Sequence, residues 1–273
     1  MTIDLDKVIH DKMGTRAKWV PRFVVSWLKR TIHQDWINGF ITREEQLGHV
    51  GVSWVEDCME YIGVTVEVRG MENLPSPDAA PCTFVSNHPL GGADGVALCA
   101  ILGKRYDGRL KCIVNDLLMN LEGMSPFFIP VNKTGSQSRM LPAMVEAGFS
   151  SENHMLLFPA GLCSRLIDGK VQDLPWQKTF VQKSVKTHRQ VIPIHFSGHN
   201  SPRFYKIARW CKRLGLKFNL AMLFLPDELY KGQGKHCVVT IGKPIPYETF
   251  DDSRKPAEWA QYVREIVYNL QDK

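Results

Sequence analysis

With 273 residues, 44% of them apolar and 23% charged, the chain has the size and balance of a folded globular protein that needs no disulfide staples. A net charge of +6 favours anionic partners such as a phospholipid surface, a coenzyme or an acidic carrier protein. The basic residues are interleaved with acids along the chain, so no nucleic-acid-binding stripe is expected.

Seven cysteines, an odd number with no C-x-x-C spacing, argue against a zinc site and a secreted disulfide framework and suit reduced thiols in the cytosol. The opening residues Met1–Gly14 lack the basic-then-apolar pattern of a signal peptide. No apolar run approaches the roughly 18 residues a spanning helix needs.

Residues 1–63 read as an N-terminal helical element. Pro21 suits the first turn of a helix, and Val20, Phe23, Val24, Trp27 and Leu28 place one apolar face at i, i+3, i+4, i+7 and i+8. Arg22 and Lys29 project from the opposite face, flanked by Lys18 and Arg30. Two readings stand side by side: a surface helix packed on the core, or an interfacial helix with its apolar side in lipid. Further on, Thr42 and Glu45 form a capping-box signature. It predicts a helix with Leu47, Val50, Trp54 and Cys58 on one side.

Residues 64–273 read as one α/β unit, continuous with the element before it. Strands are expected at Val64–Val68, Cys82–Ser86, Leu110–Val114, Phe127–Val131, His154–Phe158, Val191–Phe196 and Cys237–Ile241. Helical patterns at Gly95–Leu102, Gln137–Glu146 and Lys178–His188 lie between them, which implies a central mixed sheet with helices on its faces. In such folds ligand chemistry collects in loops beyond the carboxyl ends of strands.

Three such loops are chemically unusual. Ser86-Asn87-His88-Pro89-Leu90-Gly91-Gly92-Ala93-Asp94-Gly95 follows an apolar run and holds an imidazole beside a carboxylate. A near-neutral base whose tautomer is fixed by an acid suits proton abstraction at physiological pH; the same residues can also simply hydrogen-bond backbone in a tight turn. Leu157-Phe158-Pro159-Ala160-Gly161-Leu162-Cys163-Ser164-Arg165 is a second sharp turn, with an arginine able to hold an anion. Phe127–Val131 leads into Asn132-Lys133, delivering a cation to the end of a third strand. No G-x-S-x-G elbow is present, so the acceptor itself is the expected nucleophile.

Together and in this order, these blocks resemble the glycerolphosphate (lysophosphatidate) acyltransferase superfamily. Asn87-His88 with Asp94 resembles its Asn-His-x-x-x-x-Asp motif, and Phe127–Lys133 its Phe-Ile-x-Arg block. Phe158–Arg165 is similar to Phe-Pro-Glu-Gly-Thr-Arg-Ser, and Val191–Ile194 to a fourth block, an apolar strand with a central proline, Pro193 here. The resemblance implies that His88, oriented by Asp94, deprotonates an acceptor hydroxyl that attacks an acyl thioester. It implies substrate contacts from Asn87, Gly91, Gly92, Lys133, Phe158, Pro159, Gly161, Arg165 and Pro193. It implies no metal and no cofactor, only acyl-CoA or acyl-carrier protein as co-substrate. The family's N-terminal helical element docks on a membrane, so a peripheral place on the cytoplasmic face of the inner membrane is expected.

The chain also departs from the pattern. Asp94 lies one residue further from His88 than the common spacing, an extra residue that Gly91 and Gly92 can absorb. This Pro-Leu-Gly-Gly version resembles a bacterial subgroup that acylates lyso-amino lipids (ornithine or glycine lipids), together with hemolysin-like proteins. Ala160, Leu162 and Cys163 stand where the family has Glu, Thr and Arg, the last two implicated there in binding the acceptor phosphate. A lyso-amino lipid is therefore expected as acceptor ahead of lysophosphatidate. Two other functions share these features. A membrane-binding or lytic protein would have no use for His88 and Asp94, and a lipid or thioester hydrolase would use the same pair on water.

Overall fold

The computed structural model describes residues 2–115, 118, 121–131, 137–214 and 220–271. Seven strands form one sheet: β1 (Thr65–Arg69), β2 (Thr83–Ser86), β3 (Leu110–Asn115), β4 (Phe128–Val131), β5 (His154–Leu157), β8 (Val191–Phe196) and β9 (His236–Ile241). All seven coincide, within a residue or so, with the apolar runs in the sequence. The spatial order is β1-β9-β8-β2-β5-β3-β4. Every neighbouring pair is parallel except β8 with β9, which makes the sheet mixed. A short hairpin, β6 (Arg165–Ile167) and β7 (Lys170–Gln172), stands apart from it.

The central strands β2, β5 and β8 are buried throughout, as strands covered on both faces must be. Alternate residues feed two cores. On one face Phe84, Leu156, Ile192 and Ile194 pack with α5 (Ala93–Arg105), α4 (Val52–Ile62) and Phe40 of α3 (Gln34–Leu47). On the other, Val85, Met155, Leu157 and Val191 pack with α6 (Gln137–Phe149), α7 (Thr179–Lys186) and α10 (Pro256–Asn269). The N-terminal helices α3 and α4 thus share the core of the sheet. Two short helices, α8 (Pro202–Arg213) and α9 (Leu225–Lys231), sit between β8 and β9 in the chain.

The N-terminal region begins with α1 (Leu5–Met13) and α2 (Arg22–Thr31). Pro21 is the residue just before α2, and α2 buries none of its side chains. One expectation fails here. Thr42 and Glu45 lie inside α3, which ends at Leu47; the following helix is α4, entered through Gly51. Gly48 and Gly51, at φ 70° and 64°, make the break that the capping-box pattern put earlier. Leu47 and Val50 are consequently exposed, while Trp54 and Cys58 are buried. Among the described residues, no helix is long and apolar enough to cross a membrane. All seven cysteines are free and buried.

Candidate functional site

The chain leaves β2 and turns through residues 87–92 into α5, so His88 and Asp94 flank the carboxyl end of a central strand. That position is a switch point: from β2 the chain goes outward to β3 and β4, returns to β5, then crosses to β8 on the other side. Loops leaving β2 and β5 converge there.

Asp94 is fully buried in the first turn of α5. Its Oδ2 lies 3.0 Å from His88 Nδ1 and accepts the backbone N–H groups of Leu90 (2.9 Å) and Gly91 (3.2 Å). Its Oδ1 accepts the Gly95 N–H at 2.9 Å. Gly91 takes φ 76°, which folds the loop back onto the carboxylate. A side chain there would also meet Leu225 Cδ2 at 2.9 Å and Cys163 Cβ at 3.0 Å.

The Asp94 contact makes Nδ1 the protonated nitrogen and leaves Nε2 as the basic one, on a ring that keeps 18% of its surface. Burial by itself pushes the His88 imidazole down. The charge and hydrogen bond of Asp94, with the charge of Asp173, outweigh it and hold the imidazole above its ordinary range. Burial raises the Asp94 carboxyl, but His88 and the backbone donors prevail and hold it below the usual range. Phe158, from the loop after β5, stacks on the imidazole with ring centroids 4.0 Å apart. Asn87 ties the loop to the neighbouring strand: its side chain donates to Phe196 O (2.8 Å) and accepts from Phe196 N–H (2.7 Å).

The second loop docks directly on the first, with Ser164 N–H donating to His88 O at 2.7 Å. Gly161, at φ 69°, closes the turn by donating to Phe158 O, and Pro159 O accepts the Gln177 N–H. Cys163 is buried against Phe204 and Tyr205, and burial pushes its thiol up despite the nearby Arg165. Arg165 Nη1 is held by Cys163 O (2.5 Å), Cys163 Sγ (3.0 Å) and Ser164 O (3.2 Å). Its Nε and Nη2 make no hydrogen bond among the described residues.

Of the expected site residues, His88, Asn87, Gly91, Gly92, Phe158, Pro159 and Gly161 fall in these two interlocked loops, with Asp94 and Arg165 just beyond them at the starts of α5 and β6. Pro193 sits within β8, buried opposite Val85 and three residues before the strand ends. Lys133 and Asn132 lie outside the described residues. His195 is buried in β8 and faces Tyr268 edge-on, with ring centroids 6.1 Å apart, while His199 is exposed.

Sequence reasoning missed Asp173. This buried carboxylate accepts the Ser164 hydroxyl (2.5 Å) and the His88 backbone N–H (3.3 Å) on one oxygen and the Trp176 indole N–H (2.9 Å) on the other. It therefore clamps both loops together, and its burial raises its carboxyl above the usual range. Asn200 was missed too; its amide donates to Pro89 O and Leu90 O, bracing the His88 turn from the far side. Asp173 had a faint signal, an acid stranded before Leu-Pro-Trp at the exit of the β6–β7 hairpin.

A family profile described as Acyltransferase matches residues 7–273. A lyso-glycine lipid O-acyltransferase of Phocaeicola vulgatus is 56% identical over 268 residues, covering 98% of this chain and 95% of that protein. A second, from Bacteroides thetaiotaomicron, is 54% identical over 268 residues, covering 98% and 97%. Among solved structures, the 1-acyl-sn-glycerophosphate acyltransferase PlsC of Thermotoga maritima matches with a TM-score of 0.48 and 16% identity, over 80% of this chain and 77% of that one. A profile spanning the chain almost from end to end and relatives above half identity lead to one statement: the chain belongs to the acyltransferase family.

Proposed function

We propose that this protein is a lyso-amino-lipid O-acyltransferase that transfers a fatty acyl group from a thioester directly to the hydroxyl of a lyso-glycine-type lipid. The observation that carries the mechanism is the 3.0 Å contact between His88 Nδ1 and Asp94, which leaves Nε2 free to act as base. In this reading Nε2 takes the acceptor's hydroxyl proton as the oxygen attacks the thioester carbonyl. The C–S bond then breaks, and the departing thiolate receives the proton from the imidazolium. Asp94 stabilises that imidazolium throughout.

Two relatives above 50% identity act on lyso-glycine lipid by name, which supports the acceptor class. The phosphate-binding side chains of the wider family are replaced by Leu162 and Cys163, and Cys163 is buried against Phe204 and Tyr205. Arg165 has donors to spare for the single carboxylate of an amino lipid. The donor is acyl-carrier protein or acyl-CoA, and the enzyme works peripherally at the cytoplasmic face of the membrane with α2 lying in the interface.

Competition between lyso-glycine lipid and lysophosphatidate tests this, with labelled acyl-carrier protein and acyl-CoA as parallel donors. Preferential esterification of the amino lipid is expected. Preference for lysophosphatidate would mean that Arg165 holds a phosphate, and would overturn the acceptor assignment.

A further inference from the structure

The outer face of α8 carries a surface that neither the acyl-transfer chemistry nor the N-terminal helix explains. Phe204, Tyr205 and Cys211 turn inward, the first two packing against Cys163 of the site loop, and the Arg165 guanidinium lies 5.7 Å from the Phe204 ring centre. Lys206, Arg209, Trp210 and Arg213 recur at i, i+3, i+4 and i+7 on the opposite side, all exposed. Trp210 is 68% exposed and Leu214, just past the helix, 66%. The helix contains no acidic residue, and among the described residues Arg203 alone of its exposed cations is paired, with Asp227 at 3.6 Å.

This face is continuous with α2. Phe224 joins them, receiving Trp27 edge-on at 6.3 Å and the Arg203 guanidinium at 5.4 Å. Asp227 links α8 to the turn between α2 and α3, taking His33 at 3.0 Å as well as Arg203. Beyond Trp27, the α2 region exposes Trp19 (87%) and Phe23 (75%). The segment from Gly14 to His33 is likewise free of acids.

We infer that α8 is a second membrane-docking element, whose basic residues engage anionic headgroups while Trp210 and Leu214 enter the interface. Tryptophan favours the headgroup level, and basic side chains around it match the negative surface of a bilayer. An acidic protein partner would use the charges but leave Trp210 and Leu214 without an apolar environment, so the bilayer is the better match. The inner face of the same helix walls the site loop, so docking would set the His88 loop a helix's thickness from the lipid that supplies the acceptor. The inference deepens the lysolipid reading and rests on it for its purpose. Its test reads binding and not turnover, so each can fail alone.

The experiment is flotation of the full chain with vesicles of equimolar phosphatidylglycerol and phosphatidylcholine, against phosphatidylcholine alone. The variants are Arg209→Glu/Arg213→Glu, Trp210→Phe and, on the other helix, Trp19→Ala/Phe23→Ala. Each basic residue at an anionic surface contributes about fivefold in binding, so the double charge reversal should weaken it by about thirtyfold or more. Brominated lipid should quench less of the tryptophan emission in Trp210→Phe than in the wild type. All substituted positions are exposed, and near-ultraviolet circular dichroism checks the fold. Unchanged vesicle binding by the charge-reversal variant would overturn the inference, as would full quenching in Trp210→Phe. Unchanged vesicle binding with selective loss of transfer from acyl-carrier protein would overturn it in favour of a carrier-docking surface.

Discussion

Replacing Asp94 by asparagine removes a charge while keeping the shape of the side chain, and the surrounding donors dictate how the amide must sit. Oδ2 faces two backbone N–H groups, those of Leu90 and Gly91, as well as His88 Nδ1. An amide nitrogen placed there would confront both donors, so the amide oxygen must occupy that position. The nitrogen then faces the single Gly95 N–H. His88 Nδ1–H therefore keeps its acceptor and the imidazole keeps its tautomer. What is lost is the charge opposite a mostly buried imidazolium, a partner whose removal costs up to about 3–5 kcal/mol. This corresponds to a fall in kcat of about 150- to 5,000-fold. The pH profile carries a second signature. The base works only when neutral, so activity rises with pH through the His88 pKa, which Asp94 holds above the usual value near 6.5. Without that charge burial dominates, and the acid limb should move to lower pH even as the plateau drops. Initial rates of ester formation between about pH 5 and 9, with thermal melts to confirm folding, measure both. A near-wild-type rate, or an acid limb that stays in place, would refute the dyad.

Asp173→Ala should strand the buried donors of Ser164 and Trp176 and loosen the clamp on the His88 loop. A loss of about 3 kcal/mol is expected, read as a melting temperature lower by about 6–12 °C. Gly91→Ala should cost about 1–2 kcal/mol for the left-handed backbone and press on Leu225 and Cys163. Because that strain falls on the Asp94 donor, kcat should drop more than the melting temperature suggests, and equal effects on both would argue against a positioning role. Cys163→Ala should retain transfer within a few-fold of wild type, since burial holds the thiol protonated. Complete inactivation, or a trapped acyl-cysteine seen by mass spectrometry, would point to covalent catalysis.

The sequence showed most clearly what is local. β2, β5 and β8 are continuous apolar runs because both their faces are covered, and His88 and Asp94 are visible together because one loop holds both. Asp173 and Asn200 reach the same loop from distant parts of the chain, a proximity that no spacing encodes. The capping-box pattern at Thr42 misled because Ser/Thr-x-x-Glu also occurs inside helices; Gly48 and Gly51 were the stronger punctuation. A usable signal was passed over at Asp168-Gly169. Both take positive φ (48° and 80°) to turn the β6–β7 hairpin, the pairing a tight two-residue turn requires. Cys163 was legible as a departure from the family pattern, but its burial against α8 was not, because α8 lies far along the chain.

The central claim is that His88 acts as the base in acyl transfer to an amino lysolipid. It is tested most directly by following ester formation on lyso-glycine lipid with the wild-type protein and with His88→Ala, the product identified by mass. The imidazole is partly exposed in a loop, so the variant should fold and bind lipid like the wild type. Loss of at least about 10³-fold in kcat, with folding and binding intact, is the predicted result. Ester formation by the folded variant at a rate close to wild type would contradict the account.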